Sequence, residues 1–382
     1  MSNYLPLDVS FATGSGCYLF DKNGDKYLDA LSGVGVVNLG HTHPEITKTI
    51  QQQAEKLLHT SNWYRIDNQE VLAKQLCDLA QMDNAFFANS GAEANEAAIK
   101  IARLHGQNKA IDTPTIITAN RSFHGRTMAA LSATGNEKVQ AGFAPLVEKF
   151  IHVDFNDVNA IAAHSDNPNI VAVMLEPIQG ESGVIIPDAK YLNQVQEICQ
   201  ANDWLLILDE VQTGIGRTGK YFAHQHNQII PDVLTLAKGL GNGVPIGACL
   251  AKGKASKLFT PGTHGSTFGG NPLVCAVASK VLEVMDKDQV LDNANTIGTY
   301  LKTALTEALK DSDNVLEIRQ QGMMIAIELT TDTSNLLQQA LADKLLINIT
   351  GQSIRLLPPL IMTQAEAEIL ISKITQLVNN AR

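Results

Sequence analysis

Residues 71–104 read VLAKQLCDLAQMDNAFFANSGAEANEAAIKIARL, and this stretch carries the pattern that decides the fold. VLAKQLCDLA predicts a helix, NAFFA a short buried strand and AEANEAAIKIARL a second helix. The alternation continues with strands at TIITA, NIVAVMLEP and WLLILDEV and a helix at KYLNQVQEICQA. Such alternation indicates an α/β protein whose mainly parallel sheet is covered by helices on both faces.

The two ends of the chain have a different pattern. CYLFDKNGDKYLD, residues 17–29, predicts a hairpin around Asn23 and Gly24. A helix over 286–311 leaves the sheet, and a compact α+β segment follows, with strands near 315–319, 323–329 and 353–357 and helices near 334–345 and 363–379. We therefore expect an N-terminal segment (1–60) that packs with the smaller domain, a large domain (61–285) and a small C-terminal α+β domain (286–382).

Composition excludes several classes of protein. The 382 residues carry a net charge of −10, so a nucleic-acid or anionic-membrane partner is not expected. The five cysteines form no CxxC pair, which indicates neither a disulfide framework nor a zinc site. Without a signal-like N-terminus or an apolar run of about 18 residues, the sequence predicts a soluble, cytosolic protein.

Polar residues directly after apolar strands are the first candidates for chemistry, because open α/β sheets bind ligands beyond the carboxyl ends of their strands. WLLIL is followed by Asp209-Glu210-Val211-Gln212, VAVML by Glu176, and VLTLA by Lys238. Each residue alone could be a solvated strand end. A lysine and an aspartate at neighbouring strand ends together favour a ligand site.

A lysine, an aspartate and a phosphate site are the needs of pyridoxal phosphate. This cofactor requires an amine that reacts with its aldehyde, an acid that keeps its ring nitrogen protonated, and donors for its phosphate. Ser90-Gly91-Ala92 follows the strand NAFFA and opens a helix, where free backbone amides and the helix dipole favour an anion. The same three residues also fit an ordinary helix cap.

Two other patterns point to different chemistry. GIGRTG, residues 214–219, matches G-x-G-x-x-G, but Tyr221 stands where a P-loop needs Ser or Thr, and the preceding strand is too distant for a dinucleotide fingerprint. We expect a flexible loop beside the active site there. The HxH pairs at 41/43 and 224/226 lack a third ligand with familiar spacing, so local hydrogen bonds are expected. No GxSxG or HExxH motif supports a hydrolase.

The chain resembles the class III pyridoxal-phosphate aminotransferases. DEVQTGIGRTGKYFA, LAKGLGNGVPIGA and GSTFGGNPL are similar to the signature of this family, and FHGRT, EPIQGESG and NLGHTHP agree with it in the expected order from about residue 10 to about residue 360. The resemblance implies a fold type I transferase with a large domain built on a mainly parallel seven-stranded sheet and a smaller α+β domain. It also implies a homodimer with active sites at the interface.

The resemblance assigns cofactor roles to seven residues. Lys238 would bond to the cofactor and shuttle protons, Asp209 would pair with the pyridine nitrogen, and Gln212 would reach the ring hydroxyl. The other implied contacts are Gly91 and Ala92 with the phosphate, Phe123 stacked on the ring, and Thr267 completing the phosphate site from the other subunit.

Substrate roles are implied for four further residues. Arg126 would hold a substrate carboxylate, although an arginine at a helix start can also face solvent, and Ser266 would lie near the substrate. Glu181 and Arg355 would form a switchable ion pair. Closed, the pair masks Arg355; open, it frees Arg355 for the α-carboxylate of glutamate or 2-oxoglutarate.

The compact length and the combination of FHGRT with GTHGSTFGGNPL most resemble the members that move the terminal amino group of N2-acetyl-L-ornithine to 2-oxoglutarate. The implied products are N-acetyl-L-glutamate 5-semialdehyde and L-glutamate, in arginine biosynthesis. Alternative donors are ornithine, 4-aminobutyrate and succinyldiaminopimelate, and an aminomutase is also possible within the fold. Ornithine enzymes tend to place tyrosine where this chain has Val34, which weakens that alternative.

Overall fold

The computed structural model describes residue 1 and residues 3–381. The chain begins with an antiparallel sheet of β1 (Phe11–Ser15), β2 (Tyr18–Asp21) and β3 (Lys26–Asp29). β2 and β3 form the predicted hairpin, and the Asp21 carboxylate accepts the N–H groups of Asn23 and Asp25 at 2.8 and 2.9 Å. A turn at Ser32–Gly35 (α1) follows, with left-handed Gly33 and Val34.

The central sheet contains seven strands in the order β4-β10-β9-β8-β7-β5-β6. Its strands are β4 (Asn84–Ala88), β5 (Thr115–Ala119), β6 (Phe150–Val153), β7 (Ile170–Leu175), β8 (Leu205–Asp209), β9 (Val233–Leu236) and β10 (Gly247–Ala251). Only β10 runs antiparallel to its neighbours. The prediction of a mainly parallel seven-stranded sheet is confirmed.

Helices cover both faces of this sheet. The helices of this part of the chain are α2 (Pro44–Ala54), α3 (Asp67–Ala80), α4 (Gly91–Asn108), α5 (Met128–Ala133), α6 (Glu137–Gln140), α7 (Val158–Ala162) and α8 (Tyr191–Ala201), of which α3, α4, α5 and α8 contact strands of the sheet. Because successive strand side chains point to opposite faces, Val173 and Leu175 of β7 join one core cluster, whereas Ala172 and Met174 join another. Burial on both faces explains why the strands are continuous apolar runs.

The C-terminal part begins with two helices, α9 (Pro272–Lys287) and α10 (Val290–Ala308). The single helix predicted over 286–311 is wrong at its start, because left-handed Gln289 separates the two helices. An antiparallel sheet follows in the order β11-β12-β15-β14, with strands β11 (Val315–Gln321), β12 (Met324–Leu329), β14 (Asn348–Thr350) and β15 (Ser353–Leu356). The helices α11 (Leu336–Ala342) and α12 (Gln364–Asn379) complete this part of the chain.

The N-terminal and C-terminal parts share a sheet, since β3 pairs in parallel with β13 (Leu345–Leu346). The division into segments 1–60, 61–285 and 286–382 stays a prediction. Within the described residues, none of the helices combines the length and the apolar character of a bilayer span.

The GIGRTG segment is not the flexible loop that the sequence predicts. Residues 212–219 are all buried, and the Arg217 side chain is 0% exposed. Its guanidinium donates hydrogen bonds to oxygen atoms from three separate parts of the chain. The segment is therefore a packed structural junction.

Candidate active site

A cavity of about 440 Å³ lies beyond the carboxyl ends of β8 and β9, where the strand-end argument places a ligand. Most of the predicted site residues line it: Gly91, Ala92, Phe123, Arg126, Glu181, Asp209, Gln212 and Lys238. Ser266, Thr267 and Arg355 are not among its lining residues.

Lys238 stands two residues beyond β9, on a turn that directs it away from the sheet. The residue has a positive φ of 41° and begins a short 3-10 turn, Lys238–Leu240. A Cβ atom on Gly239 would lie 2.2 Å from the Asn38 side-chain amide nitrogen, so only glycine fits next to the lysine. Burial lowers the pKa of the Lys238 amine, which makes it a better nucleophile.

Asp209 ends β8, and its carboxylate is held by three donors at 3.0 Å or less and by the Thr235 hydroxyl at 3.5 Å. Oδ2 accepts hydrogen bonds from Asn95 Nδ2 at 2.7 Å and from His124 Nδ1 at 2.8 Å, and Oδ1 accepts the Val211 N–H at 3.0 Å. Asn95 is itself fixed by Thr235, whose hydroxyl donates to Asn95 Oδ1 at 2.7 Å. The carboxylate, which is 4% exposed, therefore has a defined orientation in the cavity wall.

His124 is the imidazole partner of this carboxylate. Burial alone would lower the pKa of the imidazole, but the hydrogen bond and the negative charge of Asp209 outweigh burial and raise it. Within the described part of the chain, His124 Nε2 has no hydrogen-bond partner. His124, Asn95 and Thr235 were not predicted as site residues. Only His124 carried a signal, since it lies inside FHGRT.

Glu176 follows β7 and is buried in the cavity wall. Burial raises the pKa of its carboxyl group to about 7. The carboxylate accepts the N–H groups of Phe123 at 3.0 Å and Gly180 at 3.4 Å. Glu176 thus ties the segment that carries Phe123 to the segment that carries Glu181.

The start of α4 lines one end of the cavity. Ser90 caps the helix, its hydroxyl accepting the Glu93 N–H at 3.2 Å. The first amides of a helix have no intrahelical partner and lie at the positive end of its dipole, so Gly91 and Ala92 can donate to a phosphate. A Cβ on Gly91 would lie 2.6 Å from the Val211 side chain, which explains the glycine at this position.

Arg355 and Glu181 form a bidentate ion pair at the opposite end. The distances are 2.7 Å from Nη1 to Oε1 and 3.2 Å from Nη2 to Oε2. The Arg355 side chain is 1% exposed and Glu181 is 34% exposed, so the carboxylate closes the access to the arginine. Burial would raise the pKa of Glu181, but the charge and hydrogen bonds of Arg355 lower it overall. Gln212 Nε2 also donates to Glu181 Oε1 at 3.2 Å.

Arg126 lies at the mouth of the cavity. The residue is exposed, and its guanidinium carbon stands 5.6 Å from the centroid of the Phe123 ring. This cation–π contact aligns the two side chains on the same wall. Arg126 has the exposure and position needed to meet an incoming carboxylate.

Ser266 and Thr267 belong to a loop beside the cavity. The Ser266 hydroxyl accepts a hydrogen bond from Asn89 Nδ2 at 3.3 Å, and Asn89 lines the cavity. Asn62 Nδ2 holds the loop through the carbonyls of Ser266 and Gly269 at 3.2 and 3.1 Å. Thr267 is exposed, so the chain does not bring it into its own cavity.

The donor set fits pyridoxal phosphate. A partly desolvated amine, a carboxylate and a helix start surround one cavity, and an aromatic ring forms its wall. Lys238 would hold the aldehyde carbon, Asp209 the ring nitrogen, and the amides of Gly91 and Ala92 the phosphate. All of these groups line the same cavity.

Three of the four HxH histidines make hydrogen bonds within the chain, as expected, whereas Nδ1 of His43 is buried without a partner among the described residues. His41 Nε2 contacts Asp29 Oδ2 at 2.7 Å, His224 Nδ1 contacts Glu210 Oε1 at 2.8 Å, and His226 Nε2 donates to the Thr218 carbonyl at 3.0 Å. Residues 1 and 3–381 contain no group of three or more His, Cys, Asp or Glu side chains that could hold a metal ion.

The fold and the site together define an aminotransferase. The family model "Aminotransferase class-III" matches residues 2–378, and the chain belongs to this family. The acetylornithine aminotransferase of Nitrosomonas europaea is 52% identical over 380 residues, covering 99% of this chain and 97% of the relative. The acetylornithine aminotransferase of Streptococcus mutans is 49% identical, covering 96% of this chain and 95% of the relative.

Solved structures agree with the family. The ornithine aminotransferase from Toxoplasma gondii ME49 has a TM-score of 0.96 at 34% identity, covering 99% of this chain and 92% of that structure. The acetylornithine aminotransferase from Elizabethkingia anophelis has a TM-score of 0.89, also at 34% identity, covering 99% of this chain and 95% of that structure. The fold type I prediction is therefore confirmed.

Proposed function

We propose that the chain is a pyridoxal-phosphate aminotransferase that moves the terminal amino group of N2-acetyl-L-ornithine to 2-oxoglutarate. The products are N-acetyl-L-glutamate 5-semialdehyde and L-glutamate. One observation carries the proposal: Lys238, Asp209 and Glu181 border a single cavity, and Glu181 covers Arg355. The full-length relatives named acetylornithine aminotransferase support the choice of donor.

Pyridoxal phosphate, when bound, supplies an electron sink that lets an amino group be exchanged between two carbon skeletons. In this proposal Lys238 is the residue that would hold the cofactor. Its amine Nζ would also accept the proton from the substrate carbon and deliver it again on the other side of the exchange. The lowered pKa of Lys238 suits this role, because a larger fraction of the amine is neutral at neutral pH.

Asp209 would keep a proton on the cofactor ring nitrogen, and its own hydrogen-bond partners fix the position of the carboxylate. Asn95 and His124 both bind Oδ2, and Val211 binds Oδ1. Restraint from three directions leaves the carboxylate one orientation, so little reorganisation is needed during the reaction. Gln212 and Phe123 also line the cavity, where Gln212 would bind the ring hydroxyl and Phe123 would stack on the ring.

Two arginines divide the work of binding substrate carboxylates. Arg126, at the mouth, holds the α-carboxylate of acetylornithine, which is far from the reacting terminal amine. Glu181 meanwhile keeps Arg355 occupied. With 2-oxoglutarate, Arg355 is freed to bind the α-carboxylate next to the reacting carbonyl. A bidentate guanidinium suits both tasks because its donor fork matches a carboxylate.

The active form in this proposal is a homodimer. Thr267, with Ser266 beside it, would serve the cavity of the partner subunit, which explains its exposure in a single chain. Trp63, Tyr64 and Phe268 are exposed near the same loop, and Asn62 connects the two segments. Contiguous exposed aromatic surface of this kind marks a protein interface.

Another ω-amino acid is the second candidate donor. The similarity to the Toxoplasma gondii ornithine aminotransferase favours it. The segment LSGVGVVN argues against it, since Val34 stands where ornithine enzymes tend to have a tyrosine. 4-Aminobutyrate and succinyldiaminopimelate remain further donors to compare.

A panel of half-reactions tests the proposal. The holoenzyme is mixed with acetylornithine, ornithine, 4-aminobutyrate or succinyldiaminopimelate, and the loss of cofactor absorbance is followed in a stopped-flow instrument. We expect the fastest amino transfer from acetylornithine. If any of the other three donors reacts faster, that donor and not acetylornithine is the substrate. Lys238→Ala serves as the inactive control.

A further inference from the structure

Arg217 is the part of GIGRTG that the proposed chemistry does not use. Its side chain is fully buried, and its donors contact three separate parts of the chain. Nη1 donates to the carbonyls of Met323 at 3.2 Å and Pro358 at 2.5 Å. Nη2 donates to Asn38 Oδ1 at 2.6 Å and to the Ser32 hydroxyl at 3.4 Å. Arg217 itself belongs to the central domain. Its guanidinium thus joins that domain to the N-terminal segment and to the C-terminal segment.

The hydrogen bond from Arg217 to Asn38 connects this junction to the turn that carries Lys238. Asn38 is held from both sides, by Arg217 on its oxygen and by the Ile215 carbonyl, at 2.8 Å, on its nitrogen. The Asn38 amide fills the space beside Gly239, where a Cβ would approach it to 2.2 Å. Because Gly239 directly follows Lys238, the position of Asn38 limits where the lysine turn can lie.

A second hydrogen bond, from Arg217 to Pro358, connects the junction to the strand that carries Arg355. Pro358, whose carbonyl accepts from Arg217, is three residues beyond Arg355 on the continuation of β15. The intervening Leu357 is fixed as well, since its carbonyl accepts the Ser32 hydroxyl at 2.6 Å and its N–H donates to Ala30 at 2.8 Å. The strand that presents Arg355 is therefore anchored directly beyond the site.

We propose that Arg217 is a positioning residue that fixes the position of Arg355 relative to Lys238. It does so by binding the Asn38 side chain on one side and the Pro358 carbonyl on the other. The role of Arg355 as carboxylate ligand rests on the proposed function. Arginine suits the position because its planar fork reaches several acceptors at once, whereas lysine offers one nitrogen. A misplacement of about 1 Å in such a site lowers the rate by about 100-fold.

Arg217→Lys tests the inference, with Arg103→Lys on the exposed side of α4 as the matched control. Calorimetry measures the dissociation constant of glutarate, an unreactive dicarboxylate, with each holoenzyme. We expect Arg217→Lys to weaken glutarate binding by roughly 10- to 100-fold, and Arg103→Lys to leave it unchanged. Thermal unfolding shows whether each variant is folded.

A double-mutant cycle separates positioning from general damage. If Arg217 acts through Arg355, then Arg217→Lys has less than about a twofold further effect in an Arg355→Ala background. Equal losses in the two backgrounds would overturn the inference. The inhibition constant of glutarate in the acetylornithine half-reaction gives the same comparison if glutarate binding to the Arg355→Ala enzyme is too weak for calorimetry.

A second readout does not depend on the substrate. The pH titration of the cofactor absorbance reports on the environment of Lys238. We expect its midpoint to shift in Arg217→Lys and to stay unchanged in Arg103→Lys. If the parent enzyme does not bind glutarate but the midpoint still shifts in Arg217→Lys, the substrate assignment is wrong, whereas the role of Arg217 in positioning Lys238 is supported. If neither quantity changes, the inference is wrong.

Ser32→Ala covers the case in which Arg217→Lys does not fold. This variant removes only the hydroxyl that bonds the Leu357 carbonyl and receives Arg217 Nη2. We expect a smaller loss of glutarate affinity, on the order of threefold to tenfold, which again disappears in the Arg355→Ala background. A loss that persists in that background would contradict the role of the junction.

Discussion

Arg355 and Glu181 form a closed ion pair, in which Nη1 and Nη2 of the guanidinium donate to the two carboxylate oxygens at 2.7 and 3.2 Å. Arg355 has further acceptors in the Gly180 carbonyl at 2.9 Å and Asn348 Oδ1 at 2.8 Å. The arginine is therefore held in position even when Glu181 moves away. This geometry suits an arginine that must be masked for one substrate and available for the other.

Arg355→Ala should damage the two half-reactions unequally. Truncation of one member of a buried charge pair costs about 2–5 kcal/mol, or at least about a 30-fold loss. We expect that loss in the 2-oxoglutarate half-reaction and a much smaller one with acetylornithine, which does not use Arg355. Single-turnover kinetics measure each half separately. Equal damage to both halves would argue against the switch.

His124 should support the carboxylate of Asp209. Loss of a hydrogen bond to a charged group costs about 1.5–3 kcal/mol, so His124→Ala should lower kcat by roughly 10- to 150-fold. His124→Asn should restore part of the rate, because its amide can replace the Nδ1 donor. In ¹⁵N NMR titrations, Asp209→Ala should lower the midpoint of His124, since Asp209 raises its pKa. An unchanged midpoint would refute the coupling.

Glu176 should make the folded protein less stable as the pH rises. Its pKa increases on folding from the ordinary 4.5 to about 7 because of burial. The folded state therefore binds the extra proton, and the stabilisation is complete below about pH 4.5 and lost as the pH rises through about 7. At 1.36 kcal/mol per pKa unit, the shift corresponds to about 3 kcal/mol.

Glu176→Gln removes this titration and tests the linkage. The free energy of unfolding of the variant minus that of the parent protein should increase as the pH rises from 5 to 8. The increase should be on the order of 3 kcal/mol. Urea unfolding at several pH values measures the difference. A difference that does not vary with pH would show that Glu176 titrates normally in the folded protein.

Thr267 should act on the cavity of the partner subunit. Thr267→Glu places a carboxylate opposite the cofactor phosphate and should inactivate the homodimer, as should Lys238→Ala. Subunits of the two variants are then unfolded together and reassembled. Each mixed dimer has one intact site, so random mixing should restore about a quarter of the parent activity. A mixture that stays inactive would place Thr267 and Lys238 in the same subunit's site.

The central sheet could be predicted because its buried strands are uninterrupted apolar runs, as in IVAVML and LLILD. β10 could not, since GACLA begins with glycine directly after a turn segment and has no distinct periodicity. Two successive helices, one from Pro272 and one from residue 286, follow from the sequence, but the exact boundary at left-handed Gln289 does not, because no glycine or proline marks it.

The site was predictable where a strand end or a motif marks it. Asp209 and Lys238 follow apolar strands, and Gly91 opens a helix. Asn95 and Thr235 were not predictable, because each is a single polar residue whose partner is distant in sequence. The Asn95–Asp209 and Thr235–Asn95 hydrogen bonds span 114 and 140 residues. Contacts of that range arise from the sheet topology and leave no local pattern.

Chemical trapping of Lys238 tests the central claim most directly. The protein is incubated with pyridoxal phosphate, reduced with borohydride to make any lysine–cofactor bond permanent, digested and mapped by mass spectrometry. We predict that the peptide containing Lys238 carries the cofactor and that Lys238→Ala abolishes this label. Labelling of a different lysine in the parent protein, or no labelling at all, would contradict the assignment.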